Sequence, residues 1–197
     1  MLKKIQAIYN FAKLNSDNIR FDSLRRNKGA IAITVYSDKR KDIPPLRFIN
    51  AHLHAHQGNF FYKQRIKDLK SILTKWSDRV DTLLLGDLNF RMKKDNLRKF
   101  DPKQDGLTKA ENELGLIWQF TESPITFEPT FKYIRHSNEL DGKRTPSWTD
   151  RILFAGFNYR LSPSDTQYER IEDDESKDKN PSDHIPVEFI ATLHVSP

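Results

Sequence analysis

The run from residue 46 to residue 87 constrains the fold more than any other part of the chain. Residues 46–53 read as a strand, following a polar turn that contains Pro44 and Pro45. Tyr62, Ile66, Leu69, Leu73 and Trp76 then step by four, three, four and three, which lays one apolar stripe along a helix. Residues 81–85, with Thr82 and three leucines in a row, follow as a short apolar strand of the kind covered on both faces, ending at Gly86. Strands and helices that alternate in this way pack as an α/β or α+β sandwich.

The rest of the chain fits that pattern. Leu2, Ile5, Ile8, Tyr9 and Ala12 recur at helical spacing, so a short amphipathic helix is expected over the first 15 residues, broken by Asn15-Ser16-Asp17-Asn18. Residues 30–36 are β-branched and apolar and read as a buried strand. Residues 91–113 are polar and helical in pieces, and 124–133 form a loop. Residues 148–155 make a strand, 162–181 contain a charged solvated insert, and 186–195 make a closing strand. A chain of 197 residues has room for one domain rather than two. The longest mainly apolar run, near residues 29–36, is far below the ~18 residues a membrane span needs. The first ten residues lack the apolar core of a signal peptide, so a cytoplasmic address is expected, peripheral at membranes if it meets them. With no cysteine, a disulfide scaffold, a thiolate nucleophile and a Cys-ligated zinc site are excluded. The net charge of +6 favours an anionic partner.

Three strand-to-loop junctions carry the chemistry. In Gly86-Asp87-Leu88-Asn89-Phe90-Arg91, Asp87 and Asn89 project to the same side after an apolar strand. A carboxylate there can orient a water or take its proton, and the amide can donate to an oxyanion. In Ser182-Asp183-His184 a carboxylate for a hard cation stands beside an imidazole that can stabilise phosphate charge. In the third, residues 146–153, Asp150 and Arg151 open an apolar strand, and a buried Asp150 needs a partner such as a histidine. His52, His54 and His56 would share a face if their strand continued, but it runs into Gln57-Gly58-Asn59. His52 alone, at a strand end like Asp87, is the better candidate.

In this order the strings resemble the inositol polyphosphate 5-phosphatases of the endonuclease/exonuclease/phosphatase superfamily. The likeness runs from about Asn27 to Val187: Asn27-Lys28-Gly29, Asn50-Ala51-His52-Leu53, Arg65 with Asp68, GDLNFR, PTFKY at 129–133, PSWTDRIL with Thr149 where Cys is usual, and PSDHIPV at 181–187. GDLNFR and SDH occur across the superfamily, whereas PTFKY together with PSWTDRIL is more specific to the 5-phosphatases. The resemblance implies a four-layer α/β/β/α sandwich, an α+β fold, and Mg²⁺-dependent removal of a 5-phosphate from phosphoinositides or soluble inositol polyphosphates. It assigns Asp87 to the attacking water, and Asn89 and His52 to the scissile phosphate. Asp150 is assigned to pairing with His184, and Asp183 to the metal. Lys132, Tyr133, Lys143, Arg144 and Arg151 are expected to bind substrate, with Asn27 and Lys28 further round the ring. Phe131 replaces the first tyrosine of the PTFKY loop and removes one hydroxyl contact.

Whole domains of this family also begin with a strand carrying an Asn and a later one carrying a metal-binding Glu. Neither is recognisable before Asn27, so the first strands of one sheet are expected to be absent. The sequence leaves two rival readings. One is a nuclease of the same superfamily, which PTFKY and PSWTDRIL disfavour, so no nucleic-acid partner is expected. The other is a catalytically weak remnant that binds phosphoinositide or a protein.

Overall fold

The computed structural model describes residues 12–20, 27–37, 41–93, 98–115, 118–171 and 181–195. Its centre is a six-stranded sheet in the order β1-β2-β3-β4-β6-β5. The strands are β1 (Ala12–Arg20), β2 (Gly29–Ser37), β3 (Leu46–His52), β4 (Asp81–Asp87), β5 (Thr121–Glu122) and β6 (Asp150–Ala155). Helix α1 (Asn59–Lys75) carries the chain from β3 to β4, the one parallel pair in a ladder that is otherwise antiparallel. That crossover puts the ends of β3 and β4 side by side, and with them His52 and Asp87.

The stripe read from the sequence is the face α1 buries. Leu69 and Ile72 are closed off, and Tyr62, Ile66, Leu73 and Trp76 pack beside them against Ile49, Leu84 and Leu153. Helix α2 (Gly106–Leu114) adds Leu107, Ala110 and Leu114 to the same cluster. Arg65 and Asp68 are also on the buried face of α1, which the apolar stripe did not reveal. The opposite face of the sheet offers Val35, Leu46 and Phe154 to Tyr159, Leu161 and Leu193. These last come from a second layer of short strands: β7 (Tyr159–Leu161) pairs with β10 (Leu193–Val195), and β8 (Gln167–Arg170) pairs with β9 (Val187–Ile190). Ile31, on that face of the sheet, is 57% exposed.

The molecule is therefore an α+β sandwich with helices on one face of the large sheet and short strands on the other. Among the described residues no helix forms the expected fourth layer. Three local expectations are corrected. Residues 12–15, read as the end of a helix, belong to β1, and the Asn15-Ser16-Asp17-Asn18 breaker lies inside that strand. Nine ladder partners on β2 outweigh the local turn preference of those side chains; residues 1–11 lie outside the described residues. The segment 162–181 contains β8, while its charged part, 172–180, also lies outside them. The single closing strand is two, β9 and β10.

Candidate active site

Gly86 allows β4 to approach β3. Its φ is 123°, and a Cβ at that point would stand 2.2 Å from the Ala51 carbonyl oxygen. The chain then turns through Asn89, whose φ of 56° is a left-handed conformation that asparagine tolerates. This turn fixes the Asp87 carboxylate. The Asn89 backbone N–H donates to Asp87 Oδ1 at 3.0 Å, and its side-chain amide donates to Asp87 Oδ2 at 2.9 Å and to the Leu53 carbonyl at 3.1 Å. Both amide protons are thus committed, so Asn89 positions Asp87 rather than offering a free donor to a ligand. Burial works against the Asp87 charge. The hydrogen bond with His52 and the charges of His184, His52 and Arg91 outweigh it and hold the carboxyl below the ordinary carboxylate range.

Asp150 and His184 form the pair expected of them. His184 Nδ1 lies 2.9 Å from Asp150 Oδ2, and the same oxygen accepts from the Thr130 hydroxyl at 2.7 Å and the Thr149 hydroxyl at 2.9 Å. Desolvation disfavours the His184 charge, but its bond to Asp150 and the nearby Asp150, Asp87 and Asp183 carboxylates raise it above the usual imidazole value. The structure brings the first two junctions together in one cleft of about 260 Å³, lined by His52, Asp87, Asn89, Arg91, Lys132, Arg144 and His184 among others, and Asp150 of the third stands behind it, bonded to His184. The cleft stands at the ends of β3 and β4, where sheets that carry helices on a face commonly bind ligands.

Three pocket features have roles that the sequence did not assign. Arg91 lies in the cleft with its guanidinium 4.0 Å from the centre of the Phe131 ring, and Nη2 donates to Asn89 Oδ1 at 2.7 Å. Its Nη1 is buried with no hydrogen-bond partner among the described residues. Phe131, noted for a lost hydroxyl, also packs 4.7 Å from the His184 ring and so braces both cations. The loop 53–57 is held from below: Asp68 accepts from the His54 backbone N–H at 3.0 Å and meets His54 Nδ1 at 2.7 Å, while Arg65 donates to the His54 and His56 carbonyls. The Arg-x-x-Asp spacing was the sequence signal for this brace; nothing local marked Phe131. His54 and His56 do not join His52 on one face, because β3 ends at His52 and His56 takes a φ of 74°.

The remaining expected substrate residues separate. Lys132 and Arg144 line the cleft, while Lys143 lines a groove beside it. Asn27 and Lys28 line a cavity on the other side of His52, where the Lys28 ammonium touches His52 Nε2. Tyr133 is 4% exposed, with its hydroxyl donating to the Pro129 carbonyl and accepting from Arg170, so it braces its loop. Arg151 does not face the cleft. It is 2% exposed and held by Glu122 and Asp105, because alternate residues of β6 point to opposite faces.

Ligand atoms of Asp87, Asp150 and His184 lie within 4.8 Å of one another. Two carboxylates in this arrangement suit a hard divalent cation, although His184 Nδ1 is already engaged by Asp150. Asp183, expected at the metal, is not in this group; its carboxylate stands 3.9 Å from Arg135 and its backbone carbonyl accepts from the Tyr133 N–H.

Comparison with known proteins agrees with the fold. The family model described as Endonuclease/Exonuclease/phosphatase family 2 matches residues 4–190. The type IV inositol polyphosphate 5-phosphatase 11 of Arabidopsis thaliana is 32% identical over 183 residues, covering 82% of this chain and 51% of its own length. Phosphatidylinositol 4,5-bisphosphate 5-phosphatase A of Rattus norvegicus is 32% identical over 152 residues, 65% of this chain and 15% of the other. Among solved structures, the inositol polyphosphate 5-phosphatase domain of SPsynaptojanin, in complex with inositol (1,4)-bisphosphate and a calcium ion, superposes with a TM-score of 0.67 at 25% identity over 91% of this chain and 55% of that one. A nitrophorin from Cimex, at 22% identity and a TM-score of 0.65 over 93% of this chain and 66% of its own, shares the fold alone. The chain spans about half the length of the Arabidopsis relative.

Proposed function

Because the chain belongs to the endonuclease/exonuclease/phosphatase family, we propose that it hydrolyses a phosphomonoester on an inositol ring, with Mg²⁺ as cofactor. The substrate is the 5-phosphate of phosphatidylinositol 4,5-bisphosphate-type lipids or of soluble inositol polyphosphates. The observation that carries this reading is one cleft lined by an ionised Asp87, by His184 with Asp150 bonded to it, and by the cations Arg91, Lys132 and Arg144.

Asp87 stays ionised and accepts a hydrogen bond from the attacking water, taking its proton as the new phosphorus–oxygen bond forms. His184, whose charged form Asp150 favours, donates to a phosphate oxygen, and the Arg91 guanidinium adds its charge. Lys132 and Arg144 fit the neighbouring ring phosphate. The Asp87 and Asp150 carboxylates, with the charge of Asp183 close by, would hold the cation, which when bound supplies Lewis-acid polarisation and neutralises the leaving oxygen. Phosphoryl transfer asks the protein mainly for such positioning and charge neutralisation. We place the protein in the cytoplasm, meeting anionic membranes peripherally. The net charge of +6 supports this, as does Phe60, 67% exposed at the start of α1. Among the described residues no helix is long and apolar enough to cross a membrane.

Phosphate release from phosphatidylinositol 4,5-bisphosphate vesicles and from inositol 1,4,5-trisphosphate, with Mg²⁺ and then with EDTA, tests the proposal. Release that requires the metal and is lost in Asp87→Ala is expected. No release, or release that survives Asp87→Ala, overturns it.

A further inference from the structure

Asp68 is 3% exposed and carries a charge that the proposed reaction does not use. It sits on the buried face of α1, three residues after Arg65, which is 2% exposed. Burial opposes both charges, raising the Asp68 carboxyl and lowering the Arg65 guanidinium, so the two are costly to keep in the core. A buried carboxylate needs donors, and Asp68 takes two from a single residue of the loop 53–57. Its Oδ2 accepts from the His54 backbone N–H at 3.0 Å and meets His54 Nδ1 at 2.7 Å. Arg65 Nη1 donates to the His54 and His56 carbonyls, each at 2.9 Å. Ala55, His56 and Gln57 of this loop line the cleft, and Asp68 does not.

Leu53 joins this anchor to the reacting carboxylate. It precedes His54 in the chain and is fully buried. Its backbone N–H donates to the Asp87 carbonyl at 3.0 Å, and its own carbonyl accepts the Asn89 side-chain amide at 3.1 Å. The same amide donates its other proton to Asp87 Oδ2 at 2.9 Å. Hydrogen bonds weaken steeply as their angle closes, so a shift of the Leu53 carbonyl turns the Asn89 amide, and Asp87 Oδ2 turns with it. We infer that Asp68 is a positioning residue for the reaction: acting through His54 and Leu53, it sets the Asn89 amide and so the direction of the Asp87 carboxylate. Arg65 holds the far end of the same loop. The effect falls on kcat rather than KM, because Lys132 and Arg144, which meet the ring, stand on other loops. The inference rests on the phosphatase reading for its kinetic readout, and on the hydrogen-bond chain for the rest.

The test compares Asp68→Ala, Asp68→Asn and Val35→Ala in the full chain. Val35 is buried against the second layer at the end of β2 away from His52, so Val35→Ala weakens the core without reaching the loop. With inositol 1,4,5-trisphosphate and Mg²⁺, Asp68→Ala is expected to lower kcat about tenfold, with KM changed by less than about twofold, in the range of a displaced supporting contact. Asp68→Asn returns an acceptor to the His54 N–H and should regain most of that loss. Val35→Ala should lower the urea midpoint and leave kcat in place. An unchanged kcat in Asp68→Ala, or a fall that Val35→Ala matches, overturns the inference. NMR of the metal-free protein supplies a readout that needs no turnover. The Asn89 side-chain amide resonances should shift and exchange faster with solvent in Asp68→Ala, and stay in place in Val35→Ala. That shift without turnover in the unaltered chain keeps the positioning of Asp87 and removes the phosphatase; turnover with an unmoved Asn89 amide does the reverse. Should Asp68→Ala fail to fold, His54→Gln removes the ring contact and keeps the backbone one, and an unmoved Asn89 amide there overturns the inference.

Discussion

Asp150 and Arg151 are neighbours in sequence and carry opposite charges, yet they belong to different parts of the molecule. Asp150 stands on the cleft side of β6, where one of its oxygens is met by the cleft residue His184 and by Thr130 and Thr149. Arg151 is on the other face of β6, where it contacts Glu122, donates to Asp105 at 3.1 Å and lies over the Phe100 ring. Asp105 is also the N-cap of α2, and Glu122 accepts from the Tyr168 hydroxyl at 2.9 Å, so Arg151 joins a helix, two strands and the second layer. Burial opposes the Arg151 charge, but the two carboxylates raise its pKa well above the ordinary guanidinium range. A polar cluster that faces a cavity can serve a reaction; one that is closed on every side can only hold the fold.

The largest effect should come from breaking the closed side. Arg151→Leu leaves the buried Asp105 and the partly buried Glu122 without their cation, and the expected loss is about 3–5 kcal/mol of stability, the range for an orphaned buried pair. Urea unfolding checks it; a loss under about 1 kcal/mol, the range of exposed ion pairs, would show that the network is dispensable. Next is Asp150→Asn, expected to lower kcat by about 10²–10³, or roughly 3–4 kcal/mol in the barrier. Its unfolding midpoint should stay close to that of the unaltered protein. A midpoint shift as large as that of Arg151→Leu would erase the distinction between the two faces.

The third test sharpens the open side. His184 is charged below its pKa, and that pKa is raised by Asp150 against the effect of burial. Activity that needs the imidazolium should fall as pH rises through a value above 6.5. In Asp150→Asn the main raising influence is gone, burial prevails, and the His184 titration followed by NMR should move to lower pH. A titration that does not move would mean the other carboxylates hold the charge. The smallest effect is that of Thr149→Val, which removes one of the three donors to Asp150 Oδ2 and should cost only about 1 kcal/mol, a several-fold fall in kcat. Thr149→Ser should restore most of it.

Local sequence was enough for the parts of the fold that obey a short-range rule. The four-three-four-three stripe of α1, the apolar strands on either side of it, and the positions of Asp87, His52 and Asp150 at strand ends follow from periodicity and from the Gly86 break. The family resemblance that the motif order carries also implies the pairing of Asp150 with His184. Other features depended on contacts between residues far apart in sequence. β1 forms against local preference because β2 supplies its ladder. Tyr133 and Arg151 look like ligand-binding residues in their motifs, but the partners that engage them, Arg170 and Glu122, lie 37 and 29 residues away.

By itself the sequence determined the chemistry available: carboxylates, an imidazole and cations in a motif order that implies phosphate, and no thiol. Only the tertiary structure decided which of those groups reach the cleft and which brace it. The physical reason is that exposure and pairing are set by the faces of strands and by packing across the sheet, and neither is written in the spacing of residues along one segment.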